Sequence, residues 1–301
     1  MKKLTHFSSC WNEIENPATH PARGGKVCLM EYEELSRRIL EKDRIFAENL
    51  VKSLYDGDAY IIKRVFSEAF LRDIQKKVHL YWSKRNSSFH KMLEGVPNFT
   101  RIIDYETGKN YYAHPVKHSA YFFPWNQDPL NLFPTCYPAW RVMKIIAGLD
   151  EDEYEKNTPK DGIIDRIQVV RYPTGGGKID SHSDPYLTQK IVTSLYMSKR
   201  GVDYLEGGCY IVNHNNCRVD MEDLIDVGDM SFIFPSVAHG VAPVDPTIPT
   251  TWDSLNGRWW IGMFSNMSDE VKDRHTGKAI PLPPPTGDTT VARATAVSCG
   301  F

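Results

Sequence analysis

No window of this 301-residue sequence comes near eighteen consecutive apolar residues, so no membrane-spanning helix is expected. Lys2 and Lys3 lack the apolar run that follows such charges in a secretory leader, and the expected location is cytoplasmic. No long basic block is present and the formal net charge is -2, which argues against nucleic acid as the main partner. Cysteine is sparse: there are six, none in C-x-x-C spacing, read as reduced thiols rather than a disulfide framework. Internal repeats are absent. What is present is ordinary globular usage, 41% hydrophobic and 25% charged, in a chain long enough to bury a core without staples. Neither composition nor charge indicates an oligomeric state.

Residues 1–30 are polar and irregular, with Pro17, Pro21 and Gly24-Gly25, and are expected to form a loosely held arm. From Glu31 to Tyr55, Leu35, Ile39, Phe46, Leu50 and Leu54 recur near one helical face. Asp56-Gly57-Asp58 signals a turn, 59–65 reads as a strand, and Ser67 reads as the N-cap of a helix through Trp82. The aromatic-rich stretch 83–137 reads as short strands and loops. It forms either a packed shell around a β core or, in part, the wall of a substrate pocket. Pro138 is expected to open another helix. Residues 164–172, 191–197, 209–212, 230–234 and 258–264 are short β runs separated by glycine turns with no helical pattern between them. That pattern indicates a mainly β sandwich or jelly roll with flanking helices. The expected organisation is an arm over 1–30, a single domain over 31–270 and a Pro/Thr-rich tail over 271–301. Within the domain, a helical and aromatic part covers 31–160 and the β core about 161–265.

The chemistry concentrates in the stretch from Arg171 to Tyr186, around His182-Ser183-Asp184. In an extended strand, residues i and i+2 face the same way, so this triplet can offer a nitrogen and an oxygen to one metal ion. A third ligand must come from elsewhere, and His239, just past the buried-looking 230–234 run, is the candidate. Two imidazoles and a carboxylate on one side of a metal form the facial triad of non-haem Fe(II) oxygenases; zinc hydrolase sites use similar ligands. Arg258 opens the run RWWIGMF. A guanidinium there requires a counter-charge, either the carboxylate of a bound small molecule or an Asp or Glu of the protein. Gly175-Gly176-Gly177-Lys178 is not a phosphate loop, since no Ser or Thr follows Lys178 and no helix opens there. Cys209, His214 and Cys217 lack a fourth partner for zinc.

Several motifs in sequence order carry a resemblance: Val170-Arg171-Tyr172-Pro173, Gly175-Gly176-Gly177, His182-Ser183-Asp184, Thr193-Ser194-Leu195-Tyr196, Glu206-Gly207-Gly208, Val227-Gly228-Asp229, His239-Gly240-Val241-Ala242-Pro243-Val244 and Arg258-Trp259. Over about residues 164–265 the chain resembles the Fe(II)- and 2-oxoglutarate-dependent oxygenase superfamily, in its prolyl-hydroxylase-like branch. The resemblance implies a double-stranded β-helix core, the cupin-like jelly roll. It implies His182, Asp184 and His239 as catalytic iron ligands, with Fe(II) as metal, 2-oxoglutarate as cosubstrate and O2 as oxidant. Arg258 would pair with the distal carboxylate of 2-oxoglutarate and Tyr172 would line the pocket. Thr193 would lie on the inward face of its strand with Leu195 and Met197, and Tyr196 would point away. Two departures stand out. Some relatives carry a cosubstrate-binding tyrosine where Met197 falls, and the stretch between His239 and Arg258 is longer than usual. Residues 245–257 read as a loop insertion at the mouth of the barrel.

The implied reaction is hydroxylation of an unactivated C–H bond with release of succinate and CO2. The resemblance favours hydroxylation over halogenation because the carboxylate ligand, Asp184, is retained. An enclosed small molecule, an amino-acid derivative or secondary metabolite, is the expected substrate. Candidate contacts to it are Arg101, His114, His118 and Trp252, the last of which could equally pack down its own loop. The rivals are a peptidyl or protein (prolyl-type) hydroxylase and, in another class, a non-catalytic cupin-like binding protein.

Overall fold

The computed structural model describes residues 5–282 and 292–298. Its N-terminal third supplies helices α1 (His6–Ile14), α2 (Tyr32–Leu40), α3 (Arg44–Tyr55) and α4 (Glu68–Ser83) and strands β1 (Val27–Glu31) and β2 (Ala59–Lys63). The arm expected to be loose is docked. Phe7, Cys10 and Trp11 are buried, and the Trp11 indole donates to the Ile146 carbonyl at 2.7 Å. The periodicity over 31–55 belongs to two helices, because the Asp43 carboxylate caps a new N-terminus by accepting from Phe46 N at 3.0 Å. Ser67 caps α4 as expected, accepting from Phe70 N at 3.4 Å.

Strands β3 (Phe99–Ile103) and β4 (Lys117–Phe122) flank the short helix α5 (Tyr105–Gly108) and lead to α6 (Leu132–Ile146). Pro138 lies inside α6 rather than opening it. The helix starts earlier because the Asp128 carboxylate accepts from Phe133 N at 2.8 Å. The core strands follow: β5 (Ile163–Pro173), β6 (Gly177–Ser183), β7 (Val192–Tyr196), β8 (Gly208–Val212), β9 (Arg218–Asp220), β10 (Met230–Ile233), β11 (His239–Val244) and β12 (Gly257–Met267). Short strands β13 (Lys278–Ala279), β14 (Ala292–Arg293) and β15 (Ala296–Ser298) come from the stretch read as a tail.

Two sheets face each other. One runs β15-β1-β2-β10-β7-β12-β5-β4-β3 and the other β13-β6-β11-β8-β9-β14. The chain alternates between them, with β5, β7, β10 and β12 in the first and β6, β8, β9 and β11 in the second, which is a double-stranded β-helix. On the outer face of the larger sheet the helices bury their apolar sides; Trp82 of α4 stacks on Trp259 of β12 at 4.8 Å. Among the described residues no helix is long and apolar enough to cross a membrane. Cys10, Cys136, Cys209 and Cys217 are free thiols, but Cys28 is disulfide-bonded, which corrects the reading of all six as reduced.

Candidate active site

The glycine turn between β5 and β6 starts the site. Gly175 and Gly176 have φ of 87° and 102°, and a Cβ on Gly175 would sit 2.3 Å from Thr250 N, so only glycine fits there. This hairpin delivers β6, whose last residues carry His182, with Asp184 just beyond. Strand β11 pairs with β6 so that His239 lies opposite His182. Two chain segments far apart in sequence thereby converge. One donor atom from each of His182, Asp184 and His239 can be chosen so that all lie within 4.8 Å of one another.

The hydrogen bonds around the triad set its donor atoms. His182 Nδ1 is 2.9 Å from the Asp180 carbonyl and His239 Nδ1 is 2.9 Å from the Val237 carbonyl. Each carbonyl requires a proton on Nδ1, which leaves Nε2 as the lone-pair donor. Asp184 Oδ2 lies 3.3 Å from His239 Nε2, and Oδ1 lies 4.0 Å from His182 Nε2. Burial would raise the Asp184 pKa, but His239 and then His182 outweigh it and hold it at about 2. Burial, then the neighbouring His239, pushes His182 down to about 4. For His239 burial also lowers the pKa, but the Asp184 carboxylate prevails and raises it. One ionised carboxylate and two Nε2 donors on one wall fit a hard-to-borderline divalent cation with open positions on the cavity side.

That cavity, about 460 Å³, lies between the sheets and has Arg258 at one end. Arg258 is only 2% exposed, and its Nε donates to both Glu222 oxygens at 3.0 and 3.1 Å. Glu222, from a single helical turn after β9, also accepts from the Tyr204 hydroxyl and from Cys209 N at 2.5 Å. Burial would raise the Glu222 carboxyl, but Arg258, then Tyr204, hold it below its ordinary value. Of the two counter-charges expected for Arg258, the structure shows the protein's own: Glu222 takes Nε, and among the described residues the Nη groups donate no hydrogen bond. A guanidinium gripped this way presents an oriented fork to an incoming carboxylate.

The strand facing Arg258 differs from expectation by one residue. Strand β12 pairs Trp260 with Tyr196 and Gly262 with Ser194, which puts Ser194 and Tyr196 on the cavity side. Thr193 points to the opposite face, where its hydroxyl donates to the Met263 carbonyl at 3.1 Å, and Leu195 and Met197 share that face. A one-residue shift in a period of two moves every side chain to the other side. Tyr196, expected to point away, therefore faces the cavity, and Met197 does not line it. Its hydroxyl is 2.6 Å from Ser231 Oγ, and the Arg258 guanidinium lies 5.3 Å from its ring centre. Tyr172, paired with Arg258 across β5 and β12, lines the cavity as read from sequence.

The four candidate substrate contacts do not line this cavity. Arg101 donates to the carbonyls of Ser88 and His90 and sits over Phe89, Phe99 and Tyr121. His114 is half-exposed, 3.0 Å from Asp180. His118 is buried on the outer face of β4, stacked on Trp82 at 3.8 Å with Nε2 on the Thr100 hydroxyl. Trp252 offers its carbonyl to Arg171 at 2.5 Å, and Thr250 donates to the Gly175 carbonyl at 2.7 Å, so the 245–257 insertion is laced onto the glycine turn. The cavity is lined instead by Tyr112, Lys117, Arg166, Gln168, Trp260, Phe264 and by Arg274 to Gly277. Of these, Arg166, Gln168, Trp260 and Phe264 share the parity of Tyr172 and Arg258, a signal present in the sequence once one inward residue on each strand is known.

No family model matches the sequence and no curated protein does. Among solved structures, a Pseudomonas putida prolyl-4-hydroxylase is similar at 11% identity, over 72% of this chain and 96% of that one, with a TM-score of 0.45. A full-length Neurospora crassa protein in complex with alpha-KG and thymine is similar at 14% identity, over 84% and 88%, with a TM-score of 0.49. Arabidopsis thaliana dioxygenase for auxin oxidation 1, bound to 2-oxoglutarate, is similar at 12% identity, over 82% and 95%, with a TM-score of 0.46. At such identities no residue's role passes from one chain to the other.

Proposed function

We propose that the chain is a member of the Fe(II)- and 2-oxoglutarate-dependent oxygenase superfamily and hydroxylates an unactivated C–H bond of a small molecule. The observation that carries this reading is one cavity holding a His182/Asp184/His239 facial triad on its wall and an oriented guanidinium, Arg258, at its end. Bound iron(II) with 2-oxoglutarate and O2 supplies the oxidising power, 2-oxoglutarate leaving as succinate and CO2.

The residues of this chain bind, orient and exclude water. The carbonyls of Asp180 and Val237 fix the imidazoles so that both Nε2 atoms face the same point. Asp184, ionised across the physiological range, supplies the negative ligand. Arg258, held by Glu222, receives the carboxylate of 2-oxoglutarate remote from the metal, with Tyr196 and Ser231 offering hydroxyls beside it. Tyr172, Trp260 and Phe264 form an apolar wall between the two ends, which keeps the reacting region dry. The segment from Arg274 to Gly277 lines the same cavity as the triad, and β13, which follows it, pairs with Ser183 and His182. A cavity of about 460 Å³ between the sheets is of a size that suits a small molecule.

Anaerobic addition of Fe(II) and 2-oxoglutarate should give the metal-to-ligand charge-transfer band of the bidentate complex. Asp184→Ala and Arg258→Ala variants should lose it or require far more 2-oxoglutarate. A wild-type protein with no band, and no succinate release in air, would overturn the reading.

A further inference from the structure

The cavity between the sheets meets solvent at a place that its lining residues identify. Among the described residues that line it, Tyr112 and Thr276 alone are exposed, and the others are buried or partly buried. Tyr112 is 47% exposed, yet its ring centre lies 6.2 Å from that of His182. A side chain that meets solvent on one side and the ligand-bearing wall on the other is the partition between them. At this point one aromatic ring stands between His182 and bulk water.

The ring is seated against Gly277, on the chain segment next to Thr276. A Cβ on Gly277 would sit 2.4 Å from the Tyr112 hydroxyl oxygen and 2.7 Å from the Ser183 carbonyl oxygen. Its φ lies outside the left-handed region, so close approach rather than backbone conformation calls for glycine here. Both sides of this contact hang on β6, the strand that carries His182. On one side Asp180 N donates to the Ala113 carbonyl at 2.8 Å, and Val116 and Lys178 exchange backbone hydrogen bonds of 2.8 and 3.1 Å. On the other side β13 pairs Lys278 with Ser183 and Ala279 with His182, and Ile280 N donates to the Ser181 carbonyl at 2.9 Å. The frame is thus fixed by backbone bonds. The Tyr112 hydroxyl, by contrast, makes no hydrogen bond among the described residues, and packing alone holds the ring in place.

We propose that Tyr112 is the specificity-determining residue at the mouth of the cavity: its ring, seated against Gly277, swings aside to admit the substrate and returns behind it. For the word substrate this rests on the oxygenase reading; the gate itself stands on the packing. Because the frame is fixed and only a side chain turns, the opening is on the order of one ring in width. Slender molecules pass to the triad, and bulky ones are held back.

The first test needs no metal. Metal-free protein is treated with diethyl pyrocarbonate, and carbethoxylation of His182 and His239 is followed by peptide mass mapping, with the exposed His214 as internal reference. Relative to His214, the triad imidazoles should react about fivefold or more faster in Tyr112→Ala than in the wild-type protein, and Tyr112→Phe, which keeps the ring, should stay within about twofold. Gly277→Ala, which forces the ring off its seat, should also accelerate the reaction, and adding Tyr112→Ala to it should add little. Equal triad rates in wild type and Tyr112→Ala overturn the gate; should that variant fail to fold, Gly277→Ala decides by the same comparison. The second test reads size. With Co(II) in the triad, stopped-flow absorption of its visible bands gives association rates for imidazole and 4-phenylimidazole. The bulkier ligand should lag by about tenfold or more in wild type and by only about twofold in Tyr112→Ala. A lag that persists in Tyr112→Ala overturns Tyr112 as the filter. The Fe(II)/2-oxoglutarate band is read on the same protein. A band with no Tyr112 effect sinks the gate alone; a Tyr112 effect without a band sinks the oxygenase reading alone.

Discussion

Glu222→Gln isolates how much of the cavity around Arg258 depends on a charge that sequence inspection does not find. Glu222 and Arg258 are each 2% exposed, and the carboxylate gathers three donors: Arg258 Nε, the Tyr204 hydroxyl and Cys209 N. The amide is isosteric, so no cavity forms, but it carries no charge and turns an N–H toward one of those donors. Removing one partner of a buried, hydrogen-bonded pair costs about 3–5 kcal/mol, because the other charge stays buried. At about 2–4 °C per kcal/mol for a large domain, the melting temperature should fall roughly 6–20 °C. Urea unfolding at pH 7 with an unchanged m-value measures the loss, and a cycle with Arg258→Met tests its origin. With both charges gone, the double variant should recover at least about 2 kcal/mol relative to the sum of the singles. The pH dependence has a definite sign. The folded-state carboxyl sits below its ordinary value, so its stabilisation is complete above the unfolded-state pKa, about 4.3, and is lost as pH falls through the folded value. The gap between wild type and Glu222→Gln should therefore close in acid. A loss under about 1 kcal/mol at pH 7, or additive single variants, would show that the pair is not an ionised lock on Arg258.

Three further outcomes follow from the same geometry. Metal affinity should weaken as pH falls, because protons compete for the imidazoles: Asp184 raises the His239 pKa, whereas burial pushes His182 down to about 4. Calorimetric titration at descending pH measures this, and an affinity that does not fall in acid would contradict the assigned ligands. Tyr196→Phe should weaken 2-oxoglutarate binding about fivefold, the worth of one hydrogen bond near 1 kcal/mol, while Met197→Leu should leave it within twofold; the reverse order would return the cosubstrate face to Met197. Trp11→Ala should destabilise by about 3–5 kcal/mol, as for a buried indole with a satisfied N–H, and a neutral result would restore the loose arm.

The β core was legible where one face of a strand is apolar and the turns carry glycine: the runs at 164–172, 209–212 and 258–264 lie within core strands, while 191–197 overruns its strand by one residue at each end and 230–234 by one at its last. Strands β6, β9 and β11 were not. Their residues are those that serve the site or its edge, with Gly177, Lys178, Asp180 and His182 in β6, so local propensity and alternation are traded for chemistry. The arm was misread for a different reason. Its apolar residues are few, but Phe7, Cys10 and Trp11 fall on one side of a nine-residue helix, and only the tertiary contact with Ile146 reveals their weight.

At the site, His182, Asp184 and His239 were legible because metal ligation restricts residue type and the i, i+2 spacing of a strand is local. Arg258 was legible as a buried cation, but its partner was not. Glu222 lies in a separate segment whose sequence resembles any acidic turn, and the pairing exists only because β8, β9 and β12 bring the two together. Face assignment failed for a similar reason. Alternation states that Thr193 and Tyr196 lie on opposite faces but not which face is inward, and that choice is set by the Trp260–Tyr196 register with β12. Once Arg258 is known to face the cavity, register propagates the assignment across β12 to Tyr172, Gln168 and Arg166 and across β7 to Tyr196 and Ser194, without further reference to the ligands. The four His, Arg and Trp side chains that looked chemically expressive in the linear sequence lie on the outer face of β4, in the β3–β4 region and in a loop laced to the glycine turn.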